Sequence, residues 1–280
     1  MATNITSPFI ERPSPHLRCL VLEAAADSDL HNHLYQLSNQ GLPQWEPLFH
    51  GTPYEALLGV GPALIRSDGT DGWTTYAANL LEQSNAGCVL YLERPLDWDK
   101  AVEHCKSLLT VQTNEQQAQL MRFFEPRWLE PLLESLSARE LQQFFGPFSG
   151  LAWRNELGWR YAERSSPWDG KVQKAGWLDL SPQHQRDMEA SRLRILAEEM
   201  ARDYQAALPT HAPAEYVHGQ LLIATDWGVQ QKAHYERWLR LAITHGEGFW
   251  QQDEPHAVLI RSDLATGEKL DELESQLIQG

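Results

Sequence analysis

A chain of 280 residues with 42% apolar and 22% charged side chains has ordinary globular composition, enough for one large core or two smaller ones. Its 23 basic against 38 acidic residues give a net charge of −15, which repels phosphate backbones and anionic headgroups and argues against nucleic-acid or membrane partners. Cys19, Cys88 and Cys105 are too widely spaced for a disulfide framework or a zinc knuckle, and read as reduced thiols.

Residues 1–16 are polar and proline-containing, with neither the basic start nor the apolar run of a secretory signal, and are expected to be a flexible N-terminus. No apolar stretch approaches the roughly 20 residues that cross a bilayer, so the expected compartment is the cytoplasm. Leu17 to Ala25 reads as a strand, and Asp27 or Ser28 then caps a helix through Leu30, Leu34 and Leu37 that ends near Gly41. Gly61 to Arg66 predicts a short strand, Trp73 to Gln83 a helix, and Gly87 to Leu92 a continuous apolar strand of the buried kind. Asp97 caps a helix through Val102, Cys105, Leu108 and Leu109, and a further strand ends at Phe123.

Pro126 suits the first turn of a helix, because the N–H it lacks would have no partner there. That helix carries Trp128, Leu129, Leu132, Leu133 and Leu136 inward at a spacing of three and four, with Pro131 limiting its regularity. Ser137 to Phe145 adds a short helix, and Leu151 to Trp153 with Trp159 to Ala162 a hairpin around Asn155 to Gly158. Strands alternating with helices predict a layered α/β lobe over 17–165 with a mixed, partly parallel sheet.

Ser166 to Gly170 reads as a linker, and from there a mainly α-helical C-terminal lobe is expected over 166–280. Ser181 caps a helix that starts at Pro182 and runs to Pro209. Ala214 to Ala224 and Gln230 to Thr244 follow, Trp250 to Ile260 is ambiguous, and Leu264 to Gln279 closes the chain as a helix.

Chemistry-bearing motifs are sparse. Gly59-Val60-Gly61 lacks the third glycine of a phosphate loop and runs into Pro62, which suits the start of a strand. The serine of Gly146-Pro147-Phe148-Ser149-Gly150 is one position off a nucleophile elbow, so the segment reads as a turn. His31 and His33, two apart on a helix, face different ways and read as solvated side chains rather than metal ligands. Glu215 and His218 have the spacing of half a di-metal site without its second copy. Asp97 with Asp99, and Glu198 with Glu199, read as caps and wet helix faces. No catalytic residues, metal ligands or cofactor site are expected. The densest cluster of charge is Arg122, Glu125 and Arg127 beside Trp128, which reads either as a salt-bridged structural corner or as a charged docking point.

Leu108-Leu109-Thr110-Val111, then Arg122-Phe123-Phe124-Glu125-Pro126-Arg127, and then Phe145-Gly146-Pro147 before Trp153 resemble, in order and spacing, the signature of the effector-adaptor family of bacterial type VI secretion. Leu20 to Glu23, Trp45 to Phe49 and Gly61 to Ile65 resemble the family's earlier segments, and the resemblance spans roughly 17–155. The chain departs from the family's pattern in two places. Glu125 stands where an aspartate is usual before the proline, and Ala24-Ala25-Ala26 where an Asp-Gly pair is common.

The resemblance implies a cytoplasmic, non-enzymatic chaperone that binds a secreted effector and helps load it onto the valine-glycine-repeat spike. It makes Arg122, Glu125, Arg127 and Trp128 the candidate partner-binding residues, with a groove or sheet edge of the α/β lobe as the docking surface and the helical lobe supplying specificity. An immunity protein that neutralises a cognate toxin, or an α/β enzyme with an unrecognised site, are the alternatives from other classes.

Overall fold

A computed structural model of the chain describes residues 2–11, 13–38, 44–67, 72–83, 86–113, 117–208 and 211–279. The chain divides into two compact units, Met1–Ser191 and Arg192–Gly280.

The first unit is a mixed α/β structure around a large antiparallel sheet. Its strands are β1 (Thr3–Ile5), β2 (Leu17–Glu23), β3 (Trp45–Pro47), β4 (Pro62–Ser67), β5 (Gly87–Leu92), β8 (Phe148–Asn155) and β9 (Gly158–Glu163). They lie in the order β1-β9-β8-β5-β2-β4-β3, and every neighbouring pair is antiparallel. Successive side chains of a strand face opposite ways, and both sets are apolar here. Cys19, Val21, Leu64, Cys88, Leu90 and Leu92 enter one core, and Leu20, Leu22, Ala63, Ile65, Val89 and Tyr91 the other.

Helices cover both faces. On one side are α1 (Leu30–Ser38), through Leu30 and Leu34, and α2 (Gly72–Gln83), through Trp73, Ala77 and Leu81. On the other are α3 (Trp98–Leu108), α4 (Pro126–Ser135) and α5 (Ala138–Phe145). Ser137 and Glu140 close a capping box at the start of α5.

The mixed, partly parallel sheet expected from the sequence is corrected in the large sheet, and the reason is topological. β4 and β5, joined by α2, do run parallel to one another, but β2 lies between them and opposes both. In the same way β4 separates β2 from β3. The strand and helix rhythm was therefore real while the adjacency it suggested was not, and the continuous apolar runs record burial on both faces rather than parallel pairing.

The parallel pair is in a second, three-stranded sheet of β6 (Thr110–Thr113), β7 (Ala118–Leu120) and β10 (Leu178–Leu180). There β10 runs parallel to β6, and β7 antiparallel to it.

Several local expectations also shift. The N-terminal segment expected to be flexible supplies edge strand β1, paired with β9 through Thr3 opposite Tyr161. The strand expected to end at Phe123 stops at Leu120, and Phe123 and Phe124 are buried turn residues. Their apolar character reflects core packing rather than strand pairing. Asp97 sits at the start of α3, yet its carboxylate accepts from Arg94 Nε at 2.7 Å rather than capping an amide. The end expected for α1 near Gly41 lies outside the described residues, and the helix expected to run from Pro182 to Pro209 ends at Asp203, with 204–207 in turns.

The division between the units falls within α6 (Pro182–Asp203), rather than at the 166–170 turn. Beyond it come α7 (Pro213–Asp226), α8 (Lys232–His245), α9 (Asp253–Leu259) and α10 (Thr266–Gln279), with no strand among the described residues. Tyr235, Trp238, Leu239 and Phe249 centre this unit's core. Buried Gln220 satisfies both of its ends there, accepting from Trp238 Nε1 at 3.2 Å and donating to the Glu247 carbonyl at 3.1 Å. Because α1 to α5 all lie in the first unit, helix content does not cleanly separate the two.

Two predictions follow from the core of the first unit. Gly87 has φ +149° and a Cβ there would lie 1.8 Å from the Val21 carbonyl oxygen, so an alanine would force β5 off β2. Gly87→Ala is expected to cost about 3 kcal/mol or more in urea unfolding; a loss under about 1 kcal/mol would mean the strands do not approach this closely.

His104, buried on α3, donates from Nε2 to the Phe144 carbonyl at 2.8 Å, and its Nδ1 has no hydrogen-bond partner among the described residues. Burial pushes its pKa down to about 4, against the opposing effect of the Phe144 hydrogen bond. The unfolded chain takes up this proton near pH 6.5 and the native one only near 4, so stability falls as pH drops through that window, by at most about 3 kcal/mol. Urea titrations at pH 7 and 4.5 should show a smaller difference for His104→Gln than for the parent chain.

Candidate functional site

The turn between β7 and α4 gathers the charged residues. Met121 N–H donates to the Leu109 carbonyl at 2.8 Å, and Glu125 N–H to the Arg122 carbonyl at 2.9 Å, which closes the turn. Phe123 and Phe124 meet edge to face, with centroids 5.5 Å apart, and sink into the core. Anchoring those two rings fixes the residues on either side. Pro126 then opens α4, and Trp128 and Leu129 N–H both donate to the Glu125 carbonyl, at 3.0 and 3.2 Å. Leu129, Leu132, Leu133 and Leu136 are buried as the spacing required, whereas Trp128 is only half-buried. Pro131, inside the helix, has no N–H to offer the Arg127 carbonyl.

Glu125 is the centre of the corner. Its carboxylate is 4% exposed and holds an arginine on each oxygen, Arg122 Nη1 at 2.9 Å on Oε2 and Arg127 Nε at 2.8 Å on Oε1. Arg122 also reaches back through Nη2 to Glu23 at the end of β2, and its guanidinium lies 5.7 Å over the Phe124 ring. Burial raises the Glu23 pKa, and the attraction of Arg122 opposes this. The two acids point inward, Glu23 with 11% of its side chain exposed, while Arg122 and Arg127 keep 41% and 62% exposed.

The structure thus brings Arg122, Glu125 and Arg127 into one bonded chain, with Trp128 beside it. Glu23 was missed in the sequence because it lies 99 residues away, with no local signal linking it to Arg122.

Next to the corner, two adjoining hollows of about 270 and 720 Å³ share Leu120, Trp128, Leu180 and Met188. These four come from β7, α4, β10 and α6. Only Trp128 of the four belongs to the set named from the sequence, because the others become neighbours through the parallel pairing of β10 with β6 and the start of α6.

The remaining motifs resolve as follows. His31 and His33 do face apart but are half-buried rather than solvated. His31 stacks on Trp45 with centroids 5.9 Å apart, and His33 meets Tyr76 edge-on at 5.1 Å. Burial lowers the His31 pKa. Glu215 is exposed and His218 half-buried on α7. Among the described residues no three His, Cys, Asp or Glu side chains gather as a metal-binding group, and no helix is long and apolar enough to cross a membrane. The three cysteines are buried and form no disulfide among the described residues, and burial pushes the thiols of Cys88 and Cys105 upward.

Residues 20–143 match the model of a family described as a domain of unknown function, DUF4123. The matched span runs from β2 into α5 and includes the whole charged corner, while Leu180 and Met188 lie beyond it. No curated protein and no solved structure matches the chain.

Removing Arg122 would strand the inward carboxylate of Glu23 and leave Glu125 to Arg127 alone, whereas removing Arg127 leaves both acids held by Arg122. Arg122→Ala is therefore expected to cost about 3 kcal/mol and Arg127→Ala about 1 kcal/mol or less. Chemical denaturation of the two variants checks the order, and equal losses would contradict this division of roles.

Proposed function

We propose that this chain is an adaptor that binds a secreted effector protein in the bacterial cytoplasm and helps place it on the valine-glycine-repeat spike of a type VI secretion apparatus. The observation that carries this reading is the family match over residues 20–143, which covers the segments whose order and spacing resemble the effector adaptors except the last, Phe145 to Trp153.

The geometry of the corner supports a binding role. Arg122, Glu125 and Arg127 hold one another in a fixed arrangement beside an open, partly apolar trough, and rigid positioning of a few aromatic and arginine side chains is what concentrates binding energy at a protein interface. The exposed guanidiniums suit recognition of another protein's carboxylates. In this reading the chain makes no covalent change in its cargo. The effector keeps its toxic activity while bound, which distinguishes an adaptor from an immunity protein.

The test is co-purification of the full chain with an effector encoded beside it, followed by secretion in a strain lacking the chain. The expected result is a stable complex, unchanged effector toxicity and loss of that effector from the secreted fraction, restored on complementation. Normal effector secretion in the deletion strain would refute the reading.

A further inference from the structure

The two hollows beside the corner join through the apolar side chains of Leu120, Trp128, Leu180 and Met188 into one trough, bounded at its far end by the polar Gln119, Gln185 and Glu189. The other end has an uneven distribution of charge. Glu23 and Glu125 are turned into the protein and Arg122 and Arg127 outward, so four charges that sum to zero present a positive face. On a chain of net charge −15 such a face is a local exception, and it adjoins the trough. Arg122 commits both of its terminal nitrogens, to Glu23 and to Glu125. Arg127 commits only Nε, and among the described residues its two Nη groups have no hydrogen bond or ion pair. A guanidinium held on one edge by a buried acid offers the remaining edge to a second carboxylate in a fixed, two-pronged geometry.

We propose that the trough seats a segment of the partner protein which lays apolar side chains on Leu120, Trp128, Leu180 and Met188 and places a carboxylate against Arg127. This rests on the adaptor reading and names the chemistry of the segment recognised. The positive face selects an acidic flank, and the apolar lining supplies the area that holds it. Hollows of these sizes accept a few side chains rather than a whole domain. The seat draws on both sides of the family match, since Leu120, Arg127 and Trp128 lie inside residues 20–143 while Leu180 and Met188 lie outside.

The test has two arms, both with the full chain. In the first, fluorescence anisotropy compares a labelled synthetic leucine-rich peptide bearing two glutamates with a twin bearing lysines at those positions. The parent chain is expected to bind the glutamate peptide about tenfold or more tighter than its twin. Arg127→Glu should remove that preference, and Gln119→Trp, an exposed position that would fill the trough, should weaken both peptides. Circular dichroism and thermal melting confirm that each variant is folded, and Arg127→Gln replaces Arg127→Glu if the latter is not. Equal affinity for the two peptides, or a preference that survives loss of the Arg127 charge, overturns the proposal.

The second arm asks whether the same variants retain the co-purifying effector. A parent chain that holds the effector while the variants release it supports the seat. Undiminished retention by both variants overturns the seat but leaves the adaptor reading intact, and failure of the parent chain to hold any effector overturns the adaptor reading and this proposal with it.

Discussion

Burying a carboxylate as deeply as that of Glu125 costs several kcal/mol unless its oxygens are matched, and the β7 to α4 turn is organised around meeting that requirement. Arg122 and Arg127 take one oxygen each, and Arg122 extends the chain of charges to Glu23 on the central strand β2. The corner consequently ties the turn to the middle of the large sheet, and Phe123 and Phe124 hold it from below. A structural corner and a docking point, which the sequence left as competing readings, are compatible in this geometry. The inward acids and Arg122 hold the turn in place, while Arg127 is left with an open edge.

The same economy of arrangement recurs in the large sheet. Strands buried on both faces can be arranged parallel or antiparallel, and apolar composition does not choose between them. Placing β2 between β4 and β5 lets α2 cross one face while every strand pair stays antiparallel, which uses perpendicular, closely matched hydrogen bonds throughout. The faces then fill independently, with α1 and α2 on one side and α3, α4 and α5 on the other. His104 and Gly146 show how tightly the second of these layers is filled, since a Cβ on Gly146 would stand 2.5 Å from the imidazole ring.

The trough is a product of connection rather than of composition. β10 is three residues long and follows a stretch that reads as linker, yet its parallel pairing with β6 carries Leu180 to the corner, and α6 then brings Met188. A family match ending at residue 143 would by itself describe only one wall of this surface.

By itself the sequence determined most of the local elements, because their signals are local. Pro126 starts α4, Ser137 with Glu140 starts α5, and Asn155 to Gly158 turns the β8–β9 hairpin, each within a few residues of the side chains that dictate it. It also located the charged cluster of Arg122, Glu125 and Arg127, since all three lie within one turn. Tertiary structure alone decided the order of the strands, the partnership of Arg122 with Glu23 and the meeting of Trp128 with Leu180 and Met188. Those depend on which distant segments become neighbours, and propensity, periodicity and spacing carry no information about separations of that length.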